Sequence, residues 1–505
     1  LFTPDFPDWM EDDGVGIKLA PDTRTTSIMK SVLNGIEENK PLFQLFRQLH
    51  DPDQSQAAVI APAAIETKNK QLNDSQRRAV GAIIDNPQMV IVHGPPGTGK
   101  TTTLVEAIVQ LVKHGEKVLV SAPSNTAVDN IARGLIQQGI NLLRGGNTSK
   151  GDDQVFSHAP EGRLSGSKQQ KEIKQLKIRA EEFRRMALKY KRSFGKAERE
   201  QRSLLFKEVR NIRNEIKKLQ TYNEEKLFEQ AQVIAGTPVG LYDAGLTKYR
   251  FGTLVMDEAG QCIEPLAWCI FPLAEKIVLA GDHWQLPPTV LSNEATRRGF
   301  NRSILEVAIG RVPSVFLLDT QYRMRPAIAG FSSKYFYNEL LMTAKHLEDN
   351  GKHITFIDTA GSGFQEMHGP DGVSLQNEGE LRVAKRLIES ESLDPQRTAF
   401  ISPYSGQVTA AHETLPPGMR ISTIDSFQGQ EQDSIIVSLV RSNDGGEIGF
   451  LKDYRRMNVA ITRAREQLFV IGDSATIGGD AFFNAFLHYV ETAGDYRTVW
   501  EFEDL

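Results

Sequence analysis

The sequence predicts an α/β protein with two parallel, doubly wound sheets in tandem. Three observations point there. From Leu72 onward, short apolar runs alternate with amphipathic helical stretches, as strands buried on both faces and joined by crossover helices should. This pattern occurs twice, and a long block of helix formers interrupts its first occurrence. The first apolar run ends in Gly94-Pro95-Pro96-Gly97-Thr98-Gly99-Lys100-Thr101, a full G-x-x-x-x-G-K-T phosphate loop between a predicted strand and a predicted helix.

Residues 1–70 are loosely patterned, with turns at Pro4, Pro7 and Gly14 and a helical stretch over 27–49. The first sheet is expected to take strands at 89–93, 117–122, 232–236, 253–256 and 276–280. The second is expected to take 315–318, 353–357, 398–401, 420–423, 434–439 and 467–471. These runs are rich in Val, Ile and Leu, which suit a pleated interior. The domains are then an N-terminal segment (1–70), a first α/β domain (71–147 and 231–313), an insertion (148–230) and a second α/β domain (314–505). Between Gly166 and Phe228 there is no proline and one glycine, Gly195, so the insertion reads as a helical hairpin with Gly195 dividing its arms. Residues 171–220 carry 17 Lys/Arg against 7 Asp/Glu. That excess reads either as a solvated surface or as a contact for nucleic acid.

Composition narrows the class. The chain is 40% hydrophobic and 24% charged, a globular mixture, and no apolar run approaches the roughly 18 residues that span a bilayer. Two cysteines, Cys262 and Cys269, are too few for a disulfide framework and fit buried thiols in a reducing, cytoplasmic setting. The net charge of −5 supplies no global attraction for a polyanion, so any such binding must rest on local patches. The opening at Leu1 has no signal-peptide pattern and reads as that of a trimmed chain.

The phosphate loop implies ATP with Mg²⁺. Its glycines let backbone N–H groups curl around phosphate oxygens, and the helix start adds a favourable dipole. Lys100 would reach the β- and γ-phosphates, and the Thr101 hydroxyl would ligate Mg²⁺. Asp257-Glu258 closes the strand at 253–256. There Asp257 would hold the metal through water, and Glu258 would act as general base. Gln285, after the strand at 276–280, would orient the attacking water.

These motifs resemble one family, the superfamily 1, group B helicases of the up-frameshift class. The matching segments run in family order. They are Leu72-Asn73-Asp74-Ser75-Gln76, the phosphate loop at 94–101, the segment 122–129, Asp257-Glu258-Ala259-Gly260-Gln261 and the segment 281–288. Then come Gln321-Tyr322-Arg323-Met324-Arg325-Pro326, the segment 423–431 and the segment 455–465. The resemblance implies two RecA-like domains with ATP between them and travel along single-stranded RNA or DNA from 5′ to 3′. By position it implies that Gln76 reads adenine, that Tyr322 stacks on it and that Glu431 contacts ribose. Gly94, Pro95, Pro96, Gly97, Thr98, Gly99, Lys100, Thr101 and Thr102 would cradle the phosphates, and Arg323 and Arg463 would reach the γ-phosphate from the second domain. An arginine suits that task because its planar fork binds two oxygens. Strand contacts are implied for Pro123, Ser124, Asn125, Thr237, Pro238, Val239, Pro288, Thr289, Tyr404 and Thr423, mostly to phosphate and sugar.

The family's usual His is Arg325 here, and the decay helicase's Cys/His-rich zinc domain has no counterpart in the sequence, so a role in nonsense-mediated decay is not implied. Residues 1–70 resemble the last strand of the family's small barrel and the stalk helix after it. The helical insertion also sits where the family has one. The expected protein is a monomer without a membrane. Two alternatives stay open: a translocase that barely unwinds, and a P-loop switch controlling a protein partner.

Overall fold

The structure, a computed structural model, describes residues 23–51, 66–85, 88–146, 153–164, 168–188 and 195–502. The first sheet has seven parallel strands: β1 (Met89–His93), β2 (Val118–Ser121), β3 (Leu142–Arg144), β4 (Val233–Gly236), β5 (Phe251–Met256), β6 (Ala274–Gly281) and β7 (Val315–Leu317). Their order is β3-β4-β2-β5-β6-β1-β7. Two short strands, β8 (Thr320–Gln321) and β9 (Met342–Thr343), pair with each other beyond it. The second sheet contains β10 (Ile354–Asp358), β13 (Thr398–Ser402), β14 (Arg420–Thr423), β15 (Gln432–Ser438), β16 (Ala464–Gly472) and β17 (Asp495–Thr498), while β11 (Met367–His368) and β12 (Leu375–Gln376) form a small antiparallel pair. Its order is β14-β13-β15-β16-β10-β17, again all parallel.

Both faces of each sheet are buried, which explains the continuous apolar runs. In β1, Met89 and Ile91 enter one core with Leu119, Leu254 and Leu279, while Val90 and Val92 enter the other with Val118, Val255 and Val278. The alternation follows from the two-residue period of a strand.

The run at 315–318 is assigned differently from the expectation. It does not open the second sheet. Val315–Leu317 pairs in parallel with Ile91–His93 as the edge of the first, and the Leu318 N–H donates to the His93 carbonyl at 2.9 Å. A short apolar run carries no mark of which neighbouring sheet it will join. The first sheet therefore extends past residue 313. In the two large sheets β3 and β17 were not expected, and neither were the short strands β8, β9, β11 and β12.

Ahead of the first sheet lie α1 (Thr23–Asn34) and α2 (Lys40–His50). The Asn39 side chain caps α2 by accepting from the Leu42 N–H, and Leu42, Leu45 and Leu49 bury one face of the helix. That face joins the core around Trp268, whose ring lies 5.5 Å from that of Phe46. The expected barrel strand falls outside the described residues.

The insertion forms two long helices, Lys168–Leu188 and Lys196–Gln230. They pack on each other through Ile173, Ala180, Ile212 and Ile216, as a hairpin should. The second helix ends inside the first domain: Phe228 is buried, and Lys117 Nζ donates to the carbonyls of Phe228 and Glu229 at 3.0 and 2.9 Å. Both cysteines are free and buried, and burial pushes their thiols up to about 12 for Cys262 and about 11 for Cys269. Among the described residues no helix is long and apolar enough to cross a membrane.

Candidate nucleotide cleft

The phosphate loop joins β1 to α4 (Lys100–Lys113), behind α3 (Asp74–Asp85). Gly97 and Gly99 adopt φ of 76° and 72°, left-handed backbone that favours glycine. Space demands glycine as well: a Cβ on Gly97 would stand 2.7 Å from the Arg323 Cβ, and one on Gly99 would stand 2.7 Å from Gln76 Nε2. The loop is braced from inside by Thr98, whose hydroxyl donates to the Pro95 carbonyl at 2.7 Å.

The C-terminal ends of β1, β5 and β6 bring the chemistry together, as the strand ends of parallel sheets do. Lys100 Nζ lies 2.9 Å from Glu258 Oε1 and 3.5 Å from Asp257 Oδ1. Burial alone would lower the Lys100 pKa, but these carboxylates hold it above its usual value. Glu258 is half-buried, which opposes its charge, yet Lys100 draws its carboxyl below the ordinary range, so it stays ionised at neutral pH. Asp257 sits farther from the ammonium, and burial raises it. Glu258 has φ 53°, unusual for a non-glycine residue, and Gln261 Nε2 donates to its Oε2 at 2.8 Å. A strained backbone and a side-chain clamp thus fix its carboxylate.

Across the cleft stands the second sheet. Arg463 is 2% exposed and follows the helix Tyr454–Ile461. It donates to the Val459 carbonyl at 3.0 Å, to the Gln430 carbonyl at 3.3 Å and to Gln285 Oε1 at 3.1 Å. All three acceptors are neutral, and among the described residues no carboxylate ion-pairs with it. Burial and the neighbouring Arg323 lower its pKa to about 9, which leaves it cationic at neutral pH. Arg323, by contrast, ion-pairs with Glu431, and Arg465 does so too.

The cleft between the sheets has a volume of about 660 Å³. Its walls include the whole phosphate loop from Gly94 to Thr102, Asp257, Glu258, Gln285, Tyr322, Arg323, Glu431 and Arg463. Tyr322 is 40% exposed, and its backbone N–H donates to the Gly97 carbonyl at 2.8 Å. Gln76 is placed differently. It is 5% exposed and does not line the cleft, because its amide donates to the Thr98 carbonyl at 3.0 Å and accepts from the Asn73 N–H at 2.9 Å. The cleft suits a nucleotide with a divalent cation: Thr101 and Asp257 present hard oxygen donors beside a loop whose close approach only glycine permits.

The residues expected along a nucleic-acid strand are more scattered. Ser124 caps α5 (Asn125–Gln137) and also lines the cleft. The Asn125 side-chain oxygen, Oδ1, accepts from buried Arg144 at 2.9 Å. Thr237 caps the helix Pro238–Asp243, Pro238 is buried, and Val239 packs beside Cys269. Pro288 is buried and Thr289 exposed. Tyr404, though only 5% exposed, shares a second cavity of about 690 Å³ with Thr423. Phe450, 63% exposed with its ring 6.0 Å from that of Tyr404, lines this cavity and escaped the sequence reading.

Four further residues were missed: Asp282, His93, Tyr337 and Asn458. Asp282 accepts from His93 Nε2 at 3.0 Å, the Trp284 N–H at 3.0 Å, Gln285 Nε2 at 2.9 Å and Tyr337 Oη at 2.6 Å. Burial would raise Asp282, but these donors, His93 foremost, bring it down to about 2. His93, Asp282 and His283 stand close enough to hold a metal ion, yet all four lone-pair positions of Asp282 are taken, which makes it a hydrogen-bond hub. Asn458 Nδ2 extends the network to Tyr337 Oη at 2.9 Å and the Trp284 carbonyl at 2.8 Å.

Comparison with known proteins gives a consistent answer. AAA-domain families match residues 71–293 and 300–475. The DNA-binding protein SMUBP-2 of Mesocricetus auratus is 34% identical, over 86% of this chain and 46% of the relative. The DNA polymerase alpha-associated DNA helicase A of Schizosaccharomyces pombe is 33% identical, over 84% of this chain and 67% of its own length. The ATP-dependent helicase NAM7 of Saccharomyces cerevisiae is 31% identical, over 84% of this chain and 44% of its own. The chain thus spans about half the length of SMUBP-2. A solved arterivirus nonstructural protein 10 (helicase) with DNA aligns at a TM-score of 0.40 and 14% identity, over 80% of this chain and 64% of that one.

Proposed function

Because the chain belongs to the superfamily 1, group B helicases of the up-frameshift class, we propose that it is an ATP-driven motor on single-stranded RNA or DNA, moving 5′ to 3′. One observation carries the ATPase half of this reading. Arg463, a buried cation held only by neutral acceptors, faces a cleft whose opposite wall is a phosphate loop with an ionised Glu258. A buried cation that lacks a contact ion pair is poised to meet an anion entering the cleft.

In this reading Lys100 exchanges its carboxylate partners for the β- and γ-phosphates. Glu258 takes a proton from the attacking water, which Gln285 orients. Arg463 and Arg323 offset the charge spread over the transferring phosphoryl group once the sheets close. Mg²⁺, held by Thr101 and through water by Asp257, would neutralise phosphate charge. Tyr322 supplies a half-exposed ring for the base, and Glu431 meets the ribose. For Gln76 to read adenine, its amide must leave the Thr98 carbonyl. Alternate closing and opening of the cleft shifts the grip of each domain on the strand. The basic hairpin gives the otherwise acidic chain a local hold on phosphates. A protein switch needs no second-domain arginine in the cleft.

Two measurements test the reading. ATP hydrolysis should rise with poly(U) or poly(dT), to which a nucleotide switch is indifferent. Matched RNA and DNA duplexes should unwind from a 5′ tail, and efficient unwinding from a 3′ tail alone would overturn the direction.

A further inference from the structure

The hydrogen bonds around Asp282 close into a ring that crosses the cleft. Asp282 Oδ2 accepts from Gln285 at 2.9 Å, and Gln285 Oε1 accepts from Arg463 at 3.1 Å. Arg463 is tied to the end of the helix Tyr454–Ile461 through the Val459 carbonyl, and the adjacent Asn458 donates to Tyr337 Oη at 2.9 Å. Tyr337 Oη then returns to Asp282 Oδ2 at 2.6 Å. The ring thus joins the loop after β6 to the two second-domain segments that carry Tyr337 and Arg463.

Tyr337 is well placed to sense that geometry. It is 3% exposed and belongs to the core of the second domain. It follows the helix Pro326–Phe336 and precedes two non-glycine residues with positive φ, Asn338 at 51° and Glu339 at 62°. Backbone strain of this kind persists only where surrounding packing enforces it. Burial and the Asp282 charge hold its phenol well above the ordinary value, so it remains a donor throughout the working pH range. A neutral, fixed donor to a buried carboxylate is strongly directional.

We propose that Tyr337 is a positioning residue for ATP hydrolysis: by fixing Asp282 from the second domain, its hydroxyl holds Gln285 and Arg463 in register across the cleft. The proposal rests on the ATPase reading of the cleft. Tyr337 touches neither nucleotide nor strand in this account, and it acts through Asp282 and Asn458. Without the hydroxyl, Asp282 Oδ2 keeps one donor of two, and the Gln285–Arg463 contact loses its fixed reference.

Tyr337→Phe removes one oxygen and leaves the ring. The whole chain is assayed for ATP turnover with and without poly(dT), and for affinity toward ADP and ADP–aluminium fluoride, a mimic of the transferring phosphoryl group. Turnover and affinity for the mimic should both fall by roughly 10-fold, the weight of one hydrogen bond to a charged group. KM for ATP and affinity for ADP should stay within about two-fold. Asn458→Ala reaches the same node from the other side and serves if the phenylalanine variant folds poorly. The two together should cost no more than the worse of them alone. Equal losses for ADP and the mimic would reduce Tyr337 to scaffolding and overturn the proposal, as would unchanged turnover or multiplicative effects. If poly(dT) and poly(U) fail to stimulate the parent protein, the strand-motor reading fails, while intrinsic turnover still decides the role of Tyr337.

Discussion

Replacing Arg463 by lysine keeps the charge and discards the geometry. The guanidinium meets three acceptors in three directions, at 3.0, 3.1 and 3.3 Å, and two of them are backbone carbonyls that do not move with side-chain rotamers. An ammonium is a single point with three donors and cannot span that set while reaching a phosphoryl oxygen. An arginine supplied to a transferring phosphoryl group is worth roughly 10³ to 10⁵ in turnover. Because Arg323 remains in the cleft, the lower figure applies: turnover should fall roughly 10³-fold, about 4 kcal/mol of barrier. The assay is single-turnover hydrolysis at saturating Mg-ATP with poly(dT) or poly(U). Nucleotide-free strand binding serves as the control, and it should not change. Turnover within about ten-fold of the parent would refute the reasoning. Loss of strand binding without nucleotide would instead place Arg463 in the strand path.

Three further predictions follow from other parts of the structure. Glu258→Gln should leave nucleotide binding nearly intact and lower turnover roughly 10²-fold or more, and near-normal steady-state hydrolysis would remove Glu258 as the base. Glu380 is fully buried, accepts from Ser438 Oγ at 2.5 Å and the Val440 N–H at 3.0 Å, and burial pushes its carboxyl up to about 8. Between its unfolded value near 4.5 and about 8, the folded chain binds a proton that the unfolded chain has released, so this group costs stability as pH rises across that window. Glu380→Gln should therefore gain in Tm on the parent progressively from pH 5 to pH 8, and a gain independent of pH would contradict a protonated Glu380. Removing residues 167–222 spares the anchored end of the hairpin at Phe228. Hydrolysis without nucleic acid should survive, and the slope of log affinity against log salt should flatten by roughly one to two units, since each lost single-strand phosphate contact removes about 0.7. An unchanged titration would make the hairpin a solvated arm or a protein dock.

Local patterns were legible where local physics decides. The glycines of the phosphate loop announce a tightly curled backbone, and the buried strands announce themselves as apolar runs. Gly195 and the absence of proline were enough for the hairpin. What stayed hidden depends on partners distant in sequence. The run at 315–318 looks the same whether it edges the first sheet or opens the second. Leu142–Arg144 is too short for a periodicity, and its arginine argues against a buried strand until the hydrogen bond to Asp129 at 2.7 Å is seen. Gln76 sits in its expected segment, but only the fold shows its amide bracing Thr98. Tyr337 lies outside every matching segment, and His93 reads only as the end of an apolar strand. Their importance comes from meeting Asp282, at separations of 55 and 189 residues along the chain.

The seam between α2 and Trp268 bears on how this protein can be cut. A family boundary begins at residue 71, which invites truncation there. Yet Leu42, Leu45 and Leu49 are buried against the first domain, and burying each such side chain is worth ~1.5–3 kcal/mol. Three of them amount to a large part of the net stability of a typical domain. A fragment starting at 71 would bare the indole of Trp268 and the apolar strip around it, a surface that invites self-association. The segment ahead of the first family match is thus part of the first domain's core, and a boundary drawn at residue 71 cuts through that core.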